Sequence, residues 1–426
     1  MLISLLFGSI LMTQTTRPSM FSQVVAHPTG KNGYEELVMA ADLLQNGRFS
    51  RYDAWARVEP ERNNEMDAVD LQIYAELKGK STLQKLRLIT EKFGRVRDLL
   101  SQAAQKPIFD PRESLSFDTL MPELSGFRSI AHFIQDDAYC AFADGQGQQA
   151  VNELKLGFDV FDRASRGMLI EYLVGVACQS ILLATVEDQL PRLSQRDAKV
   201  FEQASASNLG RPPAIVECMD GEYKFMRLSL EKALDSVHSA EAFKSFIESE
   251  ELDKAMAGLK KMTSADFATA KGITLTRLDE SHSRMHDIFT GPESGWATTQ
   301  LDEPTPPNNW STPTGLGDAI ANMVLPAFSQ LGKSAARNRT QIRLLGLVST
   351  MISYRWENGK LPDRLSDAVG EARANDPLSG EPFEYKLDHF GGFTITSKGT
   401  KETGTIALRY KRAEGNGDPG PPTMAR

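Results

Sequence analysis

The chain has 426 residues, 41% hydrophobic and 24% charged, with a formal net charge of -8. That length fits two or three domains, the hydrophobic content excludes a wholly disordered chain, and the acidic balance without a Lys/Arg run excludes nucleic acid as the main partner. Three cysteines, Cys140, Cys178 and Cys218, match no zinc spacing. Cys140 and Cys178 read as small buried hydrophobes, with one disulfide among the three left open.

Residues 1–16 open with the apolar run Leu2 to Met12, followed by Thr13-Gln14-Thr15-Thr16. A membrane-spanning helix needs about 20 apolar residues, so the run is read as the apolar region of a signal peptide. Export is expected, to the periplasm or cell envelope, with no membrane span unless this N-terminal segment is retained.

Residues 30–290 read as a helical domain. Leu83, Leu86, Ile89, Phe93, Val96 and Leu100 recur at steps of three and four, predicting one helix from Ser81 to Lys106 with Ser81 as its N-cap. Similar spacing predicts helices over Leu115–Asp144, Gln146–Ala164, Met168–Leu190 and Glu222–Glu248. Leu169 to Thr185 is the most apolar run, but Glu171 and Gln179 within it favour a central core helix over a membrane span.

Gly145-Gln146-Gly147-Gln148-Gln149-Ala150 matches the G-x-G-x-x-A dinucleotide fingerprint. That fingerprint needs a strand leading into the loop, whereas Ile130 to Ala143 carries helical spacing. The expected alternative is a tetratricopeptide-like helical hairpin, in which Ala138, Ala141, Ala150 and Gly157 let two helices approach closely. His282 and His286 stand four apart on a helix, a spacing that zinc sites use. Ser283 occupies the place where the zinc-protease motif needs its general-base Glu, so a metal-dependent hydrolase built on these two histidines is the weakest reading. No other catalytic constellation stands out, so neither an enzyme nor a cofactor is expected.

Residues 291–317, with Pro292, Gly295, Pro304, Pro306, Pro307, Pro313, Gly315 and Gly317, read as a linker or loop. A helical pattern then runs from Leu316 to Glu357 with a break or kink at Pro326. Over 318–412 the expectation is an α+β unit, one long helix and a three-stranded antiparallel sheet. Ile342, Leu345, Val348 and Ile352 form the helix stripe, and Asn358-Gly359 ends it before Pro362. Asp376-Pro377 and Ser379-Gly380 are turn chemistry, since Asp bonds the following backbone and Gly accepts positive φ. Phe383, Tyr385 and Leu387, then Phe393 and Ile395, then Ile406, Leu408 and Tyr410 alternate as strands. The residues expected to build this turn and sheet are Asp376, Pro377, Gly380, Pro382, Phe383, Tyr385, Gly392 and Phe393. Residues 413–426 read as a disordered tail. The fold class is therefore mainly α, with a small C-terminal α+β unit.

Asn358, Gly359 and Pro362, then Asp376, Pro377, Gly380, Pro382, Phe383 and Tyr385, then Gly392, Phe393, Ile395, Ser397 and Gly399 make this unit resemble the globular end of type II secretion major pseudopilins. The resemblance implies a shared fold. Pseudopilins bind calcium in the loop that follows, but here Lys398-Gly399-Thr400-Lys401-Glu402 carries two lysines, so calcium is not implied. Lys106-Pro107-Ile108-Phe109, Leu115–Leu120, the Gly145 hairpin and Arg192-Leu193-Ser194 resemble exported bacterial proteins that join a tetratricopeptide-like body to such a unit. This implies an envelope interaction or scaffold protein with a protein or peptide partner, or an accessory part of a secretion or pilus-like apparatus.

Overall fold

A computed structural model describes residues 19–46, 49–57, 68–112, 119–246, 256–297, 310–324 and 328–411. The expected signal peptide, the expected tail, Pro326 and most of the Pro-rich stretch lie outside the described residues.

The architecture is mainly α with a three-stranded antiparallel sheet near the C-terminus. The first helices are α1 (Met20–Val24), α2 (Gly33–Leu44), α3 (Arg51–Arg57), α4 (Ala68–Leu77), α5 (Thr82–Lys92) and α6 (Arg95–Ala104). A two-residue ladder, β1 (Gln45–Asn46) with β2 (Phe49–Ser50), joins α2 to α3. The single helix expected over 81–106 is two, because the chain breaks at Phe93-Gly94. Ser81 caps α5 as expected, its hydroxyl accepting from Gln84 N–H while the Gln84 side chain returns to Ser81 N–H.

Next come α7 (Glu123–Ala143), α8 (Gly147–Ala164), α9 (Leu169–Gln189), α10 (Gln195–Leu209) and α11 (Ala214–Leu234). Gly145, at φ 75°, reverses the chain between α7 and α8. No strand precedes this loop, since α7 runs to Ala143, so the fingerprint is a helical hairpin. At Gly157 a Cβ would lie 2.7 Å from the Leu182 side chain and 3.0 Å from that of Ile134, so the missing Cβ makes room for both where α8 packs between α9 and α7. Ala138 and Ala150 are fully buried in the same packing. Of the helix predicted over 115–144, residues 115–118 lie outside the described residues, 119–122 are not helical, and α7 begins at Glu123. The one predicted over 222–248 is instead the end of α11 and a separate α12 (Ala240–Phe246).

The remaining helices are α13 (Ser264–Thr290), α14 (Glu293–Trp296), α15 (Pro313–Val324), α16 (Phe328–Asn358), α17 (Leu365–Val369) and α18 (Glu371–Ala374). Residues 291–317 are thus not wholly a linker: α14 lies inside them and α15 begins at Pro313. Pro is tolerated there because the first N–H groups of a helix have no intrahelical acceptor.

Two cores organise the chain. One runs from α1 through α11 and continues into α16 and the sheet, and includes Tyr34, Phe161, Phe201, Leu344 and Phe393. The other gathers Leu230, Phe243, Phe267, Leu278, Leu316 and Ile320 from α11, α12, α13 and α15. So α15, expected to lead the C-terminal unit, belongs with the second helical core. The unit's long helix α16 is shared with the body. Ser205 Oγ on α10 donates to Ile342 O at 2.6 Å, Thr350 Oγ1 donates to Glu202 at 2.8 Å, and Asn338 Nδ2 donates to Gln179 on α9 at 3.0 Å.

The sheet has the order β3 (Glu384–Leu387), β4 (Phe393–Ser397), β5 (Ile406–Tyr410). Phe393 pairs with Tyr410 and Ile395 with Leu408, and these side chains turn inward against α16. Leu387, expected on that inner face, is 50% exposed at the end of the outer strand β3.

Candidate functional site

The helix α9 is the one described helix long and apolar enough to cross a membrane, and 56% of its most apolar window is buried in the protein. Glu171 and Gln179, its two polar interruptions, are both buried and both hydrogen-bonded. Glu171 lies beneath an open cleft of about 420 Å³ that gathers residues from the 109–112 loop, the 166–168 turn and α11.

Close helix contacts put each wall in place. Gly33 N–H donates to Pro107 O at 2.7 Å, and Asn32 Nδ2 donates to Phe109 O at 2.7 Å. These bonds fasten the 107–112 loop over the start of α2. They leave Phe109 60% exposed at the cleft and turn Asp110 and Arg112 toward its floor. On the opposite side the turn into α9 crosses α11 so closely that a Cβ on Gly221 would lie 2.6 Å from Gly167 O. The Glu171 carboxylate occupies the space where a Cβ on Gly167 would stand.

Below the floor lies a connected set of buried polar groups. Arg112 pairs with Asp110 at 2.9 Å and with Glu123. Tyr34 Oη lies 3.0 Å from Glu123 Oε1 and 3.1 Å from Glu171 Oε1. Glu171 Oε2 accepts Met168 N–H at 2.6 Å, and Glu222 Oε2 accepts Leu169 N–H at 3.2 Å, so two of the unpaired donors that open α9 are satisfied. Tyr34 and Glu123 are fully buried and Glu171 is 2% exposed. Burial pushes the Glu171 carboxyl up to about 7, with Asp110 adding to the rise. Burial also raises Glu123, outweighing the pull of Arg112. Both effects follow from the cost of holding charge away from water.

Around the rim, Arg166 pairs with Glu217 at 2.5 Å and Asp220 Oδ1 bonds His282 Nε2 at 2.8 Å. His282 stacks on Tyr223 with ring centroids 4.1 Å apart, while His286 lies 6.2 Å away at a 50° tilt. Among the described residues no group of three His, Cys, Asp or Glu side chains is arranged to hold a metal ion. Cys218, the thiol nearest this floor, is buried and donates to Ser165 O at 2.8 Å, and burial raises it far above the ordinary thiol value. All three cysteines are free and buried.

The residues that the sequence assigned to the C-terminal turn and sheet are brought together around Asp376. Its Oδ1 accepts Leu378 N–H at 3.0 Å, and its Oδ2 accepts Ser379 Oγ at 2.8 Å and Ser397 Oγ at 2.6 Å. Gly380, at φ 73°, closes the turn by donating to Asp376 O at 2.8 Å. Pro382 bridges to Asn375, and Phe383 N–H donates to Ala374 O at 2.9 Å. Tyr385 donates to Pro362 O at 3.1 Å and meets Phe393 edge-on, and Phe393 stacks on Tyr410. A Cβ on Gly392 would lie 2.6 Å from Tyr410 O. Lys398, in the loop after β4, pairs with Glu381. These groups are spent on one another, which makes the cluster structural.

A larger hollow of about 610 Å³ lies at the α7–α8 hairpin, but apart from Ser101 its lining comes only from residues 145–156. The cleft over Glu171 draws polar groups from several segments, as does a narrower pocket of about 30 Å³ lined by Asp162, Gln179, Asn208, Asn338 and Arg339. Sequence reasoning missed Tyr34, Asp110, Arg112 and Glu123, and singled out Glu171 only as a polar interruption. A charged residue in an otherwise apolar helix was the one signal available. No family model, curated protein or solved structure matches the chain.

Proposed function

We propose that the protein is a non-catalytic, exported interaction or scaffold protein of the bacterial cell envelope, and that the cleft over Glu171 receives a segment of a protein partner. The observation that carries this reading is the state of the cleft's polar groups. Glu171 is held by Tyr34 and Met168 N–H, Asp110 by Arg112, Arg166 by Glu217 and Asp220 by His282. A catalytic group needs an open path to a reacting atom, and these side chains are committed to fixed partners. Phe109, half out of the protein at the mouth, supplies the kind of aromatic anchor around which interfaces form.

The test is recovery of partners from an envelope extract with the wild-type chain and with Phe109→Asp/Lys224→Glu, both positions lying on the cleft wall. A partner captured by the wild type and lost by the variant, at unchanged melting temperature, supports the reading. The same proteins recovered with both, or none with either, removes it.

A second reading, docking within a secretion or pilus-like apparatus, draws on the outer strand β3, beside which Leu387 is 50% and Phe390 71% exposed. Removing the whole unit would not test it, because α16 is part of the body's core. Leu387→Lys/Phe390→Asp is the usable variant. Unchanged secretion by cells carrying it counts against this reading.

A further inference from the structure

The floor of the cleft contains a proton-counting problem. A tyrosine hydroxyl carries one hydrogen, yet Tyr34 Oη lies within hydrogen-bond distance of two carboxylate oxygens, Glu123 Oε1 at 3.0 Å and Glu171 Oε1 at 3.1 Å. If both carboxyls were ionised, one of these contacts would set an oxygen lone pair against an anion with no hydrogen between them. In a fully buried site that arrangement is costly. A proton on one carboxyl removes the conflict. Glu123 is paired directly with the Arg112 guanidinium, whereas Glu171's other donor is the neutral Met168 N–H. The extra proton therefore belongs on Glu171, giving a directional chain in which Glu171 donates to Tyr34, and Tyr34 donates to the Glu123 carboxylate beside Arg112.

We propose that Glu171 is a pH-sensitive latch: protonated, it donates to Tyr34 and ties the start of α9 to α2; deprotonated, it keeps the Met168 N–H bond but is driven away from Tyr34 and Glu123, drawing the Gly167–Met168 turn with it and loosening the floor of the cleft. The geometry supports a local effect, since the same carboxyl bonds Met168 N–H on one side and Tyr34 on the other.

The surrounding charges oppose a second anion here. The 109–112 loop contributes Asp110 as well as Arg112, α7 contributes Glu123, and α2 contributes Tyr34. On α11 stand Glu217, Cys218, Asp220, Glu222 and, facing the cleft, Lys224; at the end of α8 Asp162 bonds Arg166. Burial raises Glu222 and holds Cys218 as the neutral thiol, and Arg166 is already shared between Asp162 and Glu217. Arg112 is thus the one cation bonded within the Tyr34–Glu123–Glu171 chain. The elevation of Glu171 to about 7 places the transition at neutral pH.

The inference does not depend on what occupies the cleft, so it can fail or hold separately from the binding role. The full chain, labelled with carbon-13 at the glutamate carboxyls, is titrated by NMR between about pH 5 and pH 9. One glutamate is expected to keep its proton to near neutrality, and that signal should vanish in Glu171→Gln. Over the same range the Leu169 amide, which donates to Glu222, should exchange about tenfold faster than its intrinsic pH dependence explains, and this excess should be absent in Glu171→Gln. If every glutamate is ionised below pH 6, if the late-titrating signal survives in Glu171→Gln, or if the excess exchange is missing, the latch is overturned. Should Glu171→Gln fail to fold, the wild-type titration and exchange decide the question alone.

Discussion

Asp376 and Glu171 are both buried carboxyls, 1% and 2% exposed, and they solve the same problem in opposite ways. Asp376 is ringed by local donors: the Leu378 and Ser379 N–H groups and the Ser379 and Ser397 hydroxyls. Each donor meets one of the carboxyl's acceptor positions, so the buried group is satisfied locally. Glu171 shares one hydroxyl with a second acid, and no cation bonds it directly. The number of donors that reach each carboxyl, more than burial itself, separates the two sites. One carboxyl is therefore a fully bonded hub, while burial raises the other.

The largest effect that would break this contrast is expected at the hub. Asp376→Ala leaves several donors in the turn without an acceptor and should cost about 4 kcal/mol in denaturant unfolding. Asp376→Asn keeps one acceptor oxygen and should cost about half that. Equal losses from the two variants would show that packing, not hydrogen bonding, holds the turn.

Glu171 gives the next effect, with the opposite sign at high pH. Its carboxyl is raised from 4.5 to about 7 in the fold, so its contribution is fully present below pH 4.5 and lost as pH rises through 7. Glu171→Gln mimics the protonated form and should be stabilised relative to wild type by up to about 3 kcal/mol at pH 8, and by nothing at pH 4. Stability curves of wild type and variant that run parallel from pH 4 to 8 would remove the distinction between the two carboxyls.

A smaller effect is expected where backbone meets backbone. Gly221→Ala places a Cβ 2.6 Å from Gly167 O and should cost about 2 kcal/mol, together with faster exchange at Met168. Unchanged exchange would mean that α11 does not hold the turn from outside. Last, Lys398→Ala removes an exposed pair with Glu381 beside the Asp376 hub and should leave the melting temperature unchanged. A measurable loss would mean that the hub depends on its surface charges.

Local signals were legible in the sequence. Ser81 as a cap, Gly145 as a hairpin turn and Asp376-Pro377 with Gly380 as a turn each act within a few residues of their own position, and Gly157 showed as a small residue in the hairpin's second helix. The three strands follow from alternation, although Leu387, paired with the buried Phe393, stays exposed because the end of β3 is uncovered. The break at Phe93-Gly94 and the gap between α11 and α12 were not legible, since apolar spacing continues across both.

By itself, then, the sequence determined the helical class, the hairpin at Gly145 and the small C-terminal sheet, because caps, turns and periodicity are short-range chemistry. Tertiary structure alone decided that α16 belongs to the body's core, that α15 belongs to the second core, and that Tyr34, Arg112, Glu123 and Glu171 meet. Tyr34 and Glu171 lie 137 positions apart. No local pattern encodes a contact of that span. It exists because the helices pack closely, with Gly126 of α7 against Ala41 of α2 and Gly221 of α11 against the Gly167 turn that opens α9.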